Sequence, residues 1–146
     1  MGIINFLHKS KKTSKDQAYP NTPYQSIGGA STVHLLANRF YDIMEQDPMA
    51  KDLLAIHPLP LDRIRRVFTL YLSMWLGGPD DYEKQFGHPR LRARHLPFTV
   101  TPALKRQWMY CMRKAMMQTV HDIQLAEQLL SALDQLAEHM INSEER

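Results

Sequence analysis

Two prolines set the length of the chain's most constrained segment. They lie in the run Gly87-His88-Pro89-Arg90-Leu91-Arg92-Ala93-Arg94-His95-Leu96-Pro97-Phe98. Pro89 suits the first turn of a helix, where its missing N–H is no loss. Pro97 is expected to push Leu96 away from helical angles and to end the helix there. A helix of about two turns remains. Leu91 and His95 are four apart and share one face, with Phe98 just past the end. Arg90, Arg92 and Arg94 lie to the other sides. One histidine therefore points with apolar neighbours, and three arginines surround it.

Three readings fit this stretch on its residues alone. The histidine is a satisfied core residue. The arginines bind nucleic acid phosphates or form a solvated edge. Or the imidazole ligates a haem iron while the arginines meet the propionates through charge-assisted hydrogen bonds.

The 146 residues point to one domain with enough chain to bury a core without staples. Cys111 is the only cysteine, which excludes an internal disulfide and fits a reducing cytosol, so a cytoplasmic location is expected. No apolar run reaches the ~18 residues that a membrane span needs. The net charge of +3 originates in Lys9, Lys11, Lys12 and Lys15. Without them 14 basic and 15 acidic residues remain, a net of −1. A nearly neutral body argues against nucleic acid as the partner of the arginines.

Residues 1–23 read as a basic extension before a domain at 24–146. Ile3, Ile4, Phe6 and Leu7 precede a lysine-rich polar run, then Pro20 and Pro23. The order of charge and apolar residues is wrong for a signal peptide. Phe6 stands where a myristoylation motif wants Ser or Thr. Gly28-Gly29 marks a tight turn, with Ser31 or Thr32 to cap a helix. That helix carries Val33, Leu36, Phe40 and Ile43 at helical spacing to about Gln46, with Tyr41 at the edge of the stripe. Asp47-Pro48 breaks it before a short helical piece at Met49 to Ala55. His57-Pro58 and Pro60 make a corner. Asp62 caps a helix to about Leu76 with Ile64, Phe68, Tyr71 or Leu72, and Trp75 inward, closed by Gly77-Gly78-Pro79. Tyr82 falls in a loop. Thr101-Pro102 opens a helix to about Thr119 with Leu104, Trp108, Cys111, Met112 and Ala115 inward. After His121-Asp122 a last helix carries Leu129, Leu133, Leu136 and Met140. No segment alternates with period two, so the chain is all-α.

Gly28-Gly29, Phe40-Tyr41, His57-Pro58, the run Trp75 to Pro79, the run Gly87 to Phe98 and Trp108 ten residues beyond it together resemble the truncated haemoglobins of group II. The resemblance covers roughly residues 24–120. It implies a globin-like, two-over-two helical sandwich around haem, in a bacterial globin. It implies that His95 is the iron ligand and that Arg94 and Arg92 meet the propionates. Tyr82, Phe68, Ile64, Leu91 and Phe98 would line the cofactor. Tyr41 and Trp108 match the distal polar pair, and His57 a position at the pocket edge. Ile64 stands where ordinary globins have a distal histidine.

Haem b held non-covalently is the expected cofactor, since no Cys-x-x-Cys-His motif exists. Reversible binding of O2, for transport or storage, is the expected function, with CO and NO as further ligands. Tyr O–H and Trp N–H are donors suited to the negative charge that gathers on O2. An unidentified reductase and a monomer or weak dimer are the expected partners and state. The alternative is an enzyme that detoxifies nitric oxide or peroxide at the same haem. A remoter one is an interaction module without a cofactor.

Overall fold

The computed structural model describes residues 21–144. Among these residues eight α-helices follow one another: α1 Pro23–Ile27, α2 Ala30–Gln46, α3 Lys51–Ala55, α4 Asp62–Trp75, α5 Asp81–Phe86, α6 Leu91–His95, α7 Pro102–Thr119 and α8 Ile123–Met140. A 3-10 turn at Pro48–Ala50 leads into α3. No strand occurs among the described residues, and no helix there is long and apolar enough to cross a membrane. The N-terminal extension expected from the sequence lies, up to residue 20, outside the described residues.

Long helices pack as two pairs. α2 lies against α4, α7 against α8, and α2 crosses α7 to join them. Val33, Leu36, Ala37 and Phe40 of α2 are buried, as are Cys111, Met112 and Ala115 of α7 and Leu129, Leu130 and Leu133 of α8. These are the helical-period stripes of the sequence, so periodicity translates directly into the core. Thr101 Oγ1 accepts from Leu104 N at 3.1 Å and Asp122 Oδ1 from Leu125 N at 3.1 Å, which starts α7 and α8.

Several ends differ from expectation. Neither Ser31 nor Thr32 caps α2. Gly28, at φ +117°, ends α1, and Gly29 takes the N-cap position. The glycine pair thus serves both helices, and a Cβ on Gly28 would strike the Thr32 side chain. Asp62 is the first residue of α4 rather than its cap, where its charge still faces the positive helix end. Tyr82 is buried within α5 rather than held in a loop. Six residues are too few for a periodic signal.

Two polar junctions hold the frame around α2. Arg65 of α4 donates to the Asn38 carbonyl at 2.9 Å and pairs with Asp42 at 2.9 Å and Glu45 at 3.2 Å. Asp47, at the end of α2, accepts from Tyr110 Oη at 2.6 Å, Lys114 Nζ at 3.1 Å and Met49 N at 3.0 Å. These donors hold its carboxyl down to about 2.

Thr22 caps α1, and the Tyr24 N–H donates to the Leu76 carbonyl at 2.9 Å, so α1 is seated on the Gly77-Gly78 turn. Gly78 has no room for a side chain, because a Cβ there would run into the Tyr24 ring. Gly78→Ala should therefore cost about 1–3 kcal/mol by overpacking. A lowered urea midpoint, partly restored by Tyr24→Leu, is the expected result.

Candidate functional site

The site begins with two histidines built alike. His95 closes α6, and its Nδ1 lies 2.7 Å from the carbonyl of Leu91, four residues earlier. His57 follows α3, and its Nδ1 lies 2.8 Å from the carbonyl of Leu53, again four residues earlier. A carbonyl at Nδ1 fixes the proton there and leaves Nε2 with its lone pair outward. Each imidazole is thereby oriented as a metal ligand or hydrogen-bond acceptor. Burial lowers the His57 pKa, the Leu53 carbonyl opposes that shift, and His95 lowers it further.

Between them runs an aromatic wall. Tyr41 is buried and edge-on to Phe40 at 4.8 Å, to Phe68 at 5.7 Å and to His57 at 6.0 Å. Trp108 meets Phe40 at 5.2 Å and Phe68 at 6.3 Å. Phe68 stacks on Tyr71 at 6.5 Å, Tyr71 meets Tyr82 at 5.7 Å, and Tyr82 meets Phe86 at 5.0 Å. The wall thus leads from the Tyr41 region to the start of the His95 segment. Burial pushes the Tyr41 phenol far above its ordinary range, with Arg65 opposing it from 6.0 Å over the ring. The hydroxyl therefore stays protonated and remains a donor. Among the described residues no hydrogen bond engages Tyr41 Oη or Trp108 Nε1.

The His95 segment departs from its sequence reading. α6 begins at Leu91, not at Pro89, because Arg90 sits in the left-handed region at φ +45°. The Arg90 N–H is taken by His88 Nδ1 at 3.1 Å, and the Arg90 carbonyl accepts from Arg94 N at 2.9 Å. Leu96 keeps helical angles, φ −57° and ψ −34°, despite Pro97. Pro97 ends the helix by its absent N–H rather than by displacing Leu96. Leu91 is half-buried against the core, while Leu96 and Phe98 are 58% and 48% exposed.

The arginines hold backbone. Arg94 Nε donates to the Pro89 carbonyl at 2.6 Å and Nη2 to the Phe86 carbonyl at 3.2 Å. Arg92 Nη1 donates to the carbonyls of His139 at 2.6 Å and Ile141 at 3.2 Å.

The family model of bacterial-like globins matches residues 22–142. This chain is a bacterial-like globin. The group 2 truncated hemoglobin YjbI of Bacillus subtilis is 36% identical over 125 residues, 86% of this chain and 92% of that one. The cold-adapted truncated hemoglobin of the Antarctic marine bacterium Pseudoalteromonas haloplanktis superposes with a TM-score of 0.82 at 53% identity, over 84% of this chain and 98% of that one. The group II 2-on-2 hemoglobin of Agrobacterium tumefaciens gives 0.84 at 38%, over 91% and 100%. The two-over-two arrangement of α2, α4, α7 and α8 is accordingly that of the group II truncated haemoglobins, and globins hold haem and bind small gases such as O2.

The residues of this globin fit a haem. Tyr71 Oη is buried without a partner among the described residues. Ile64, Phe68, Phe86, Leu91 and Trp108 are apolar yet only half-buried. Three contributors escaped the sequence reading. Gln107 accepts from Leu53 N at 2.9 Å through Oε1, and so tethers the residue whose carbonyl orients His57 from the position next to Trp108. Asn142 bonds the carbonyls around His95 and Phe98. Tyr71 was visible only as one of two residues competing for an inward position. Cys111 is buried, with its thiol pushed up to about 11 by burial and the Asp47 charge.

His57 generates a pH dependence. Its pKa in the fold lies below the ordinary 6.5. As pH falls through that value the unfolded chain takes up a proton before the folded one does, so stability falls with acid. His57→Phe should flatten this slope between pH 7 and pH 5 relative to the parent. Urea midpoints of both proteins at the two pH values measure the difference.

Proposed function

We propose that this globin binds O2 reversibly on a non-covalent haem b, with His95 Nε2 as the protein ligand to iron and Tyr41 and Trp108 as donors on the other side. The observation that carries the reading is the 2.7 Å contact between His95 Nδ1 and the Leu91 carbonyl, which turns Nε2 outward from a short helix. Haem iron supplies the coordination bond to the gas. The chain's own residues supply orientation, exclusion of water and hydrogen bonds.

Leu91, Phe98, Ile64 and Phe68 offer apolar surface for the porphyrin faces, and Tyr82 backs the wall between them. Arg94 and Arg92 each present five N–H donors, of which the backbone carbonyls take only some, so both retain donors for propionates. Tyr41 Oη and Trp108 Nε1 donate toward the gas. Phe40 fixes both rings, and the Arg65 junction holds α2 and α4 at the height of Tyr41. Preoriented donors in a dry pocket favour a ligand that carries negative charge. His57, held by the Leu53 carbonyl, stands beside the Tyr41 ring at 6.0 Å and edges the same space.

The freshly purified protein should show ferrous, ferric and CO-bound haem spectra, and acid-acetone should extract the haem. Tyr41→Phe keeps the ring and removes one hydrogen bond to a charged acceptor, a loss of about 1.5–3 kcal/mol. O2 release should therefore accelerate roughly tenfold or more, at 1.4 kcal/mol per factor of ten, with CO release much less affected. O2 release at the parent rate in Tyr41→Phe, Trp108→Phe and their double variant would overturn the donor pair. Sustained consumption of nitric oxide or peroxide with a reductase, without stable O2 binding, would replace binding by the enzyme reading.

A further inference from the structure

The segment that carries His95 is held from the far end of the chain. α6 has no buried residue, and the residues after it, Leu96 and Phe98, are exposed. Five helical residues cannot hold their position by local hydrogen bonds alone. The missing anchorage comes from residues 139–142, just where α8 ends. Arg92 Nη1 donates to the His139 carbonyl at 2.6 Å and the Ile141 carbonyl at 3.2 Å, so a cation closes the negative end of α8. Asn142 then closes the other side. Its backbone N–H donates to the Val100 carbonyl at 2.9 Å, and its Oδ1 accepts from Val100 N at 2.8 Å. Its Nδ2 donates to the Phe98 carbonyl at 2.9 Å and reaches the His95 carbonyl at 3.4 Å.

We propose that residues 139–142 are a clamp that sets the position of the iron-ligating histidine, with Asn142 as the positioning residue and Arg92 as its second arm. The side chain of Asn142 satisfies three backbone groups of the turn between α6 and α7, among them the carbonyl of His95 itself. Its position therefore sets how far the imidazole can advance or withdraw. A clamp on this side acts on the iron–histidine bond and so affects every gas alike, whereas a donor on the Tyr41 side discriminates between gases. The inference rests on His95 as the iron ligand.

The test uses the full-length haem-loaded protein with Asn142→Ala and Asn142→Ser, and Asp122→Ala as a control that weakens the opposite end of α8. The readouts are the iron–histidine stretching band of the ferrous protein in resonance Raman, haem transfer to an acceptor globin, and O2 and CO release. Both Asn142 variants should move the band, speed haem loss about tenfold, on the scale seen when a partner behind a metal ligand is removed, and change O2 and CO release by one common factor. Asp122→Ala should lower the urea midpoint and leave the band in place. Asn142 variants that lose stability but keep the parent band and haem-loss rate overturn the clamp. If both variants fail to fold, hydrogen exchange in the parent decides. Residues 91–100 and 139–142 should gain protection together on haem binding, and independent protection of the two overturns the inference. A parent without an iron–histidine band removes the ligand reading itself, a different result from a parent band that the variants leave unmoved.

Discussion

A histidine on a short helix must give one ring nitrogen to the backbone if the other is to be aimed. The contact of His95 Nδ1 with the Leu91 carbonyl meets that demand, and much of the surrounding structure keeps it in place. The carbonyl is useful only if α6 itself is fixed. Arg94 fixes it from below through Pro89 and Phe86, and Arg92 and Asn142 fix it from α8. Each bond is a modest term, about 0.5–1.5 kcal/mol for the neutral Asn142 and about 1.5–3 kcal/mol for the guanidinium donors before solvent screening. Their effect here is geometric, because each closes a loop of backbone around the same short segment.

The surroundings of Tyr41 are built by different physics. Tyr41 is held by aromatic edges and by burial, not by polar anchors of its own. Its position follows from α2, which is packed against α4 and α7 and pinned at Arg65 and Asp47. His57 is a hybrid. Its ring is set by a carbonyl as His95 is, but the residue that supplies it is held through its N–H by Gln107 of α7. Gln107 and Trp108 are neighbours on one helix, so the His57 turn and the Trp108 ring share a single support.

The long helices were legible because apolar residues recur on one face over about three turns, and their burial follows that spacing from Val33 to Ile43 and from Leu129 to Met140. The end capped by Thr101 before Pro102 was legible too, whereas Asp122, read only as an interruption, proved to be the cap of α8. Ends governed by backbone conformation were not legible. Gly29 displaced Ser31 and Thr32 because the αL turn at Gly28 had already aligned the chain. Arg90 entered the left-handed region, which no rule for arginine anticipates. The spacing of Leu91 and His95 placed His95 on the correct face without revealing the carbonyl that orients it. Asn142 was unreadable for another reason. Its partners lie more than forty residues earlier in the chain, and a lone asparagine beyond a helix carries no periodic signal.

The arginines show how the same residues can answer to two demands. Three of them within five positions read as a phosphate or propionate site, since a guanidinium suits both. In the fold, two of them first bond backbone carbonyls that flank α6, Arg92 those of His139 and Ile141 at the end of α8 and Arg94 those of Phe86 and Pro89. A guanidinium is suited to this because its five donors point in fixed, divergent directions. It can seat the histidine segment with two donors and still offer others outward. Lysine could supply the charge but not that division of labour. The cluster is therefore better understood as the scaffold of the His95 segment, with any contact to a cofactor's carboxylates added to a structural task the chain already requires.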